Sequence, residues 1–193
     1  EDGKTKLDFG SLGDQEGELG KGFKIHTDEQ ENVYVIDAFN RKIIKFDSKG
    51  LFEWEIKSNH DIPWSRIGHR GSDEGKFNTP NGISIDSFGN VYVADTRNNR
   101  IQKFDSAGSF IKSWGKKGSG QGEFYLPHGI GVSGDGHVYV ADTWNRRIQK
   151  FDLDGNFLLE WSSNPANYEF PHTNGPGPYI ESPEGAFSGG YAY

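Results

Sequence analysis

The feature that most constrains this sequence is that it repeats itself. NVYVADTRNNRIQKFDSAGSF begins at Asn90 and returns as HVYVADTWNRRIQKFDLDGNF at His137, 47 residues later. A looser copy, NVYVIDAFNRKIIKFDSKGLF, begins at Asn32, 58 residues before the copy at Asn90. Self-similarity at this spacing marks stacked supersecondary units, each of which buries its apolar face only against a neighbour.

Each copy reads as four short strands. In the second copy, 82–86 alternates apolar and polar residues and predicts strand a. A turn at 87–90 leads to the apolar run 91–95, strand b, which suits a buried position. A turn at 96–99 precedes strand c at 100–105, and a turn at 106–108 precedes strand d at 109–114. The third copy places the strands at 129–132, 138–142, 147–152 and 156–161, and the first at 22–25, 33–37, 42–47 and 51–56. The a–b turn of the first copy, HTDEQEN, reads as two residues longer than the others. Four-stranded antiparallel meanders repeated along a chain predict an all-β fold, a β-propeller.

The ends extend the pattern. Residues 6–13 resemble 111–118, with Phe9 in the place of Trp114, and predict an orphan strand d. Ser182, Pro183, Glu184 and Gly185 match 79–82 and 126–129, and 190–193 reads as a worn strand b. The expected organisation is an acidic segment 1–20 carrying the outer strand of a shared blade, and a body 21–161 of three repeats (about 21–58, 79–115 and 126–161). A strap, 162–193, ends in a partial fourth repeat. Five of the eight prolines lie between Asn164 and Pro183, which excludes regular strand there. A loop at 58–75 holds His60, Trp64 and His69.

Composition narrows the function classes. Residues 1–20 carry six acids and two lysines, net −4, and 162–193 carry three acids and no base, net −3. The body holds 19 charges of each sign, which argues against a nucleic-acid partner, since such proteins carry a basic face. No run of 18 apolar residues is present, so no membrane span is expected. There is no cysteine, which removes disulfides, thiolate zinc sites and thiol catalysis. There is no methionine, and Glu1 reads as a start set by processing or by excision. No N-x-S/T sequon occurs, so no N-linked glycan is expected.

The motifs F-x-x-P-x-G (Phe77, Pro80, Gly82; Phe124, Pro127, Gly129) and V-Y-V-A-D-T-x-N-x-R-I-Q-K-F (91–104, 138–151), with the trailing G-x-F and Trp114 or Trp161, resemble the NHL-repeat family. The resemblance covers roughly 7–161. It implies a propeller of about six blades, whereas three full blades and two partial ends are counted. The chain is then part of a longer propeller, a small four-bladed ring, or a set of blades completed by a neighbouring chain. A terminal blade lacking strand c leaves an open edge that invites another strand.

Candidate sites follow from position in the repeat. Asp95 with Arg100 and Asp142 with Arg147 recur across the b–c turn, and Asp37 with Lys42 repeats the spacing. Recurrence once per repeat points to structural ion pairs rather than to chemistry. Residues 152–156, DLDGN, faintly resemble a calcium loop but lack its remaining ligands, and read as a hairpin turn. His128 stands ahead of the innermost strand, a position that converges on the channel mouth, with Lys21, Asn81 and Glu184 taken as its equivalents. Together these four form the candidate ligand site. The resemblance extends to amidating lyases, whose zinc histidines lie at this position in several blades. One histidine in four does not make a three-histidine site, and Thr96, Arg97 and Asn98 stand where their catalytic tyrosine would be. No catalytic residue, metal or cofactor is assigned.

Phe39 and Trp144 fall in b–c turns as candidate partner contacts, or pack on the next blade. Phe187, Tyr191 and Tyr193 give the tail either a contact role or that of an ordered terminus. The function expected is a non-enzymatic scaffold for protein–protein interaction or self-assembly, in an extracellular or cell-envelope setting. It would meet a protein partner or its own copies through the terminal segments. The alternatives are a lyase or hydrolase with chemistry around His128, and an RNA-binding domain of the kind found in some animal family members.

Overall fold

The computed structural model describes residues 11–20, 23–57 and 72–162. It contains three four-stranded antiparallel sheets, each ordered as in the sequence. The first blade is β1 (Phe23–Thr27), β2 (Val33–Asp37), β3 (Lys42–Phe46) and β4 (Phe52–Lys57). The second is β5 (Pro80–Ile85), β6 (Val91–Asp95), β7 (Arg100–Phe104) and β8 (Phe110–Trp114). The third is β9 (Gly129–Val132), β10 (His137–Asp142), β11 (Arg147–Asp152) and β12 (Phe157–Ser162). The fold is all-β with the blades of a propeller, and among the described residues no helix is long and apolar enough to cross a membrane.

The blades cohere through faces that their period-2 pattern makes apolar on both sides. Tyr34, Ile36 and Ile43 of the first blade form one core with Phe77, Ile83, Val91, Val93 and Phe104 of the second. The same positions recur one blade on, where Tyr92, Ala94 and Ile101 meet Phe124, Val138, Val140 and Phe151. Each blade thus presents a Tyr–Ala/Ile–Ile face forward and receives its neighbour on a Phe–Val–Val–Phe face. Full burial of one such side chain contributes about 1.5–3 kcal/mol.

Turn chemistry fixes the strand ends. In the c–d turns Asp47, Asp105 and Asp152 each accept the backbone N–H groups two and four residues on, at 2.8–2.9 Å. This is hairpin closure at 152–156, with Asp152 used by its own turn. In the a–b turns Asp28 and Asp86 do the same and also accept the hydroxyls of Tyr34 and Tyr92 at 3.0 Å. In the third blade Ser133 stands in that place.

These turns correct the reading of the first repeat. Asp28 to Asn32 spans the same interval as Asp86 to Asn90, so its a–b turn is no longer than the others. The strand is displaced instead. Lys24 pairs with Ile36 as Gly82 pairs with Ala94 and Gly129 with Ala141. Phe23, and not Lys21, is therefore the counterpart of Asn81 and His128. The b–c turns of the second and third blades also tighten into 3-10 turns, Thr96–Asn98 and Thr143–Asn145, rather than plain turns.

Candidate functional site

The recurrent aspartate at the end of strand b is a fully used node. Asp95 and Asp142 are wholly buried. Asp142 accepts from Tyr125 N at 2.7 Å, Asn145 Nδ2 at 2.8 Å, Arg147 Nε at 2.8 Å and Gln149 Nε2 at 3.2 Å. Asp95 accepts the matching set from Asn78, Asn98, Arg100 and Gln102. Burial pushes the Asp95 carboxyl up, against the pull of the Asn78 N–H, Asn98 and Arg100. The guanidinium of Arg147 also donates to the carbonyls of Ser119, Gly120 and Glu123, binding the loop ahead of the blade. Arg100 does the same with Ser72, Asp73 and Lys76.

The first blade departs from this plan. Asp37 accepts from Gly20 N and from Asn40. Lys42 sends its ammonium instead to Glu55 at 3.0 Å and to the Gln15 carbonyl at 2.7 Å. The Asp37–Lys42 ion pair expected from spacing is therefore replaced by Lys42–Glu55. A lysine has no Nε–H to turn back on the aspartate, and its single ammonium reaches past it.

Asn81 and His128 hold equal positions and are both tied down locally. His128 Nδ1 lies 2.9 Å from the Leu126 carbonyl, which makes Nδ1 the protonated nitrogen. Asn81 Nδ2 donates to Thr96 Oγ1 at 3.1 Å, and Thr96 donates to the Pro127 carbonyl at 2.7 Å. Among the described residues no group of three His, Cys, Asp or Glu side chains is arranged to hold a metal ion.

A different surface is open at the b–c end of the blades. Trp144 is 52% exposed, and its ring lies 5.3 Å from that of Tyr125 in the loop ahead of the same blade. Lys117 Nζ sits 4.8 Å from the Tyr125 ring, within cation–π range. The backbone N–H of Trp144 donates to the Tyr125 carbonyl, as the backbone N–H of Arg97 donates to the Asn78 carbonyl one blade earlier, so the turn and the loop are held together. Phe39 is likewise 52% exposed in the b–c turn of the first blade. At the opposite end, a concavity between the a–b turns is lined by His26, Asp28, Gln30, Asp86 and Ser133, and its aspartates are hydrogen-bonded within their own turns.

Residues 77–104 and 124–151 match the NHL repeat. The chain carries NHL repeats. NHL repeat-containing protein 3 of Mus musculus is 34% identical over 122 residues, covering 58% of this chain and 35% of that protein. The Homo sapiens protein of the same name is 35% identical over the same shares. E3 ubiquitin-protein ligase TRIM71 of Rattus norvegicus is 36% identical over 87 residues, 42% of this chain and 10% of that protein. The chain thus spans about a third of the length of the first two relatives. Among solved structures, a virginiamycin B lyase from Staphylococcus aureus superimposes with a TM-score of 0.54 at 19% identity, over 78% of this chain and 45% of that one. A streptogramin B lyase gives 0.53 at 17%, over 72% and 39%. At such identities the likeness is one of fold.

Within these NHL blades, Asn81 and His128 sit in neighbouring blades at the inner strands, and Thr96 links Asn81 to the carbonyl of Pro127, the residue before His128. Lys21 and Glu184, the other two members of the candidate ligand site, lie outside the described residues, as do Phe9, His60, Trp64, His69, Phe187, Tyr191 and Tyr193. Of the expected orphan strand at 6–13, residues 11–13 are described, and Leu12 makes an isolated parallel bridge with Leu19. Trp144 packs on the loop of its own blade. Tyr125 and Lys117 escaped the sequence reading. Their signal was positional: Tyr125 takes the place of Asn78, one residue after the recurrent phenylalanine and directly beneath the b–c turn.

Proposed function

We propose that this chain is a non-enzymatic NHL binding module that takes a protein partner on the rim formed by its b–c turns. The observation that carries this reading is the Trp144–Tyr125 platform with Lys117 above it. Tryptophan and tyrosine in a rigid, partly apolar setting are the residues on which protein interfaces concentrate their energy. The repeated charged groups, by contrast, are consumed inside the blades. Asp95 and Asp142 serve the fold, and His128 serves its own loop. Self-association is one form this binding takes, and the setting in this reading is extracellular or cell-envelope, which cell fractionation tests.

The experiment is cross-linked capture from the native source with the whole chain and with Trp144→Ala, before and after nuclease treatment. The reading expects protein recovered by the wild type, lost with the variant and indifferent to nuclease. Recovery that depends on nucleic acid, or that ignores Trp144, overturns it.

A further inference from the structure

The loops that lead into the first and third blades share one backbone. Leu12 bridges Leu19 as Lys117 bridges Phe124, both in parallel. The Gly13 N–H donates to the Leu19 carbonyl at 2.9 Å, as that of Gly118 donates to Phe124 at 3.0 Å. The Leu19 and Phe124 N–H groups return the bond to Ser11 and Lys116 at 2.8 Å. On this common backbone the side chains differ in charge. Residues 11–20 carry three acids and no base, whereas 116–125 carry two lysines and one acid. That acid, Glu123, is used within its own loop, where it accepts the Gly120 N–H at 2.9 Å and pairs with Lys116 at 3.2 Å. Lys117, the counterpart of Leu12, meets the Tyr125 ring beside Trp144 instead of a carboxylate.

The second blade adds a cation to the same patch. Its b–c turn is bound to the third blade's loop at two points. Asn99 Oδ1 accepts the Leu126 N–H at 2.9 Å, and Thr96 Oγ1 donates to the Pro127 carbonyl at 2.7 Å. Arg97 stands between Thr96 and Asn99 in that turn and is exposed. Among the described residues neither Arg97 nor Lys117 is paired with an acid. Two aromatic rings and two uncompensated cations therefore face solvent together, held on hydrogen-bonded turns. A cation already rests on Tyr125, so the platform disfavours a basic ligand, because like charges brought together are repelled.

We infer that the third-blade part of the rim receives an acidic segment of a partner protein, its carboxylates turned to Lys117 and Arg97 and an apolar side chain laid on Trp144. Opposite charge sets the register of such a contact as well as its encounter rate. The acids of the 11–20 loop, at the equivalent place on the first blade, oppose a polyanion laid along the whole rim. This separates a short acidic segment from a nucleic-acid strand, whose binding is built on its backbone phosphates. The inference rests on the rim reading and names the chemistry of its partner.

The test is selection of a random dodecapeptide phage library on the whole chain, followed by fluorescence anisotropy of the recovered peptides synthesised with a fluorescein label. Wild type, Trp144→Ala, Lys117→Glu and Lys117→Gln are compared, each checked by far-UV circular dichroism. The recovered peptides are expected to be rich in Asp and Glu around an apolar residue. Their binding is expected to be lost with Trp144→Ala, weakened about tenfold or more by Lys117→Glu and less by Lys117→Gln, and weakened by added salt. Arg97→Glu makes the same charge change on another turn should a Lys117 variant fail to fold. Peptides that depend on Trp144 but are neutral or basic, or that bind the charge-reversed variants unchanged, overturn this inference and leave the rim reading standing. A library that returns no peptide also overturns this inference alone, since capture from the native source decides the rim reading. Peptides that ignore Trp144 overturn both. Labelled poly(U) RNA that binds more tightly than the acidic peptides assigns the patch to nucleic acid and overturns the inference.

Discussion

Arg147 donates its Nε–H to Asp142 at 2.8 Å while the rest of its guanidinium closes on three carbonyls of the preceding loop. The pair thus joins three segments: the end of strand b, the start of strand c and the 119–123 loop that leads into the blade. Asp142 is wholly buried and the Arg147 side chain is 6% exposed, so the charges compensate each other out of water. The first blade shows how the geometry relaxes when the arginine is absent. Lys42 leaves Asp37 to Gly20 and Asn40 and pairs with Glu55 on β4.

Replacing Arg147 by lysine should reproduce that relaxation in the third blade. Glu160, already 2.8 Å from Arg147, is the acid to which the new ammonium would turn, as Glu55 does for Lys42. Asp142 would keep Tyr125, Asn145 and Gln149 but lose its charged partner. The expected loss is about 1–3 kcal/mol, the cost of an unmet buried acceptor. Arg147→Ala should cost about 3–5 kcal/mol, because it strands the carboxylate. Urea unfolding of the three proteins measures both, and equal losses for Lys and Ala would refute the account.

Gly82 lies against the next blade so closely that a Cβ there would press into the backbone oxygen of His128. Gly82→Ala must therefore part β5 from β9, and an overpacked contact of this kind costs about 1–3 kcal/mol. Gly129 holds the same place in the third blade, where among the described residues a Cβ would meet only the Ala141 methyl at 3.3 Å. Gly129→Ala should be the milder change. Thermal unfolding of the two variants side by side decides this, and a larger loss for Gly129→Ala would refute it.

The strands were legible because V-Y-V-A-D and R-I-Q-K-F recur with their flanking turns, and period-2 patterning leaves few other ways to bury Val91, Val93, Ile101 and Phe104. The register of the first blade was misread at Lys21. Gly20 and Gly22 imitate the P-x-G step, yet the strand is set from its other end by the Asp28 carboxylate holding the Asn32 N–H. That bond is a side-chain-to-backbone lock, and only the repeated Asp–Asn interval of Asp86 and Asn90 announces it. The NHL match covers the second and third blades, and the first has Lys42 for arginine, Ile44 for glutamine and no F-x-x-P-x-G. Trp144 was visible as an aromatic in a turn, but Tyr125 beneath it was not. Their contact depends on a loop folding back through the Lys117–Phe124 bridge.

Trp144 separates binding from stability. Its ring contributes to a surface pair with Tyr125 and, among the described residues, to no blade–blade core. Trp144→Ala should change unfolding by less than about 1.5 kcal/mol, the range of an exposed aromatic pair, while removing partner capture. Phe124→Ala is the contrast, because Phe124 is 0% exposed in the core between the second and third blades. It should cost about 3–5 kcal/mol. Equilibrium denaturation of both variants is the check, and comparable losses would place Trp144 in the fold rather than on the rim.

Acid should weaken the first blade before the others. Burial holds the His26 imidazole below its ordinary pKa of 6.5, against a smaller upward pull from Asp28. The unfolded chain then takes up this proton before the folded one does. Stability is full above the unfolded value and falls as pH drops through it. Asp28 adds to the effect lower down. Burial raises its carboxyl, but the Asn32 side chain and N–H, the Tyr34 hydroxyl and the Gln30 N–H together bring it below 3.8, so its contribution is lost as pH falls through that folded value. Asp95 works the other way, since its carboxyl is raised and its protonation favours the folded state as the acid range is entered. Between about pH 7 and pH 5, where histidine is the side chain that titrates, the midpoint of thermal unfolding should therefore decline, and His26→Gln should flatten that decline while leaving the lower acid limb in place. A wild-type midpoint constant over this interval, or a slope untouched by His26→Gln, would contradict the assignment.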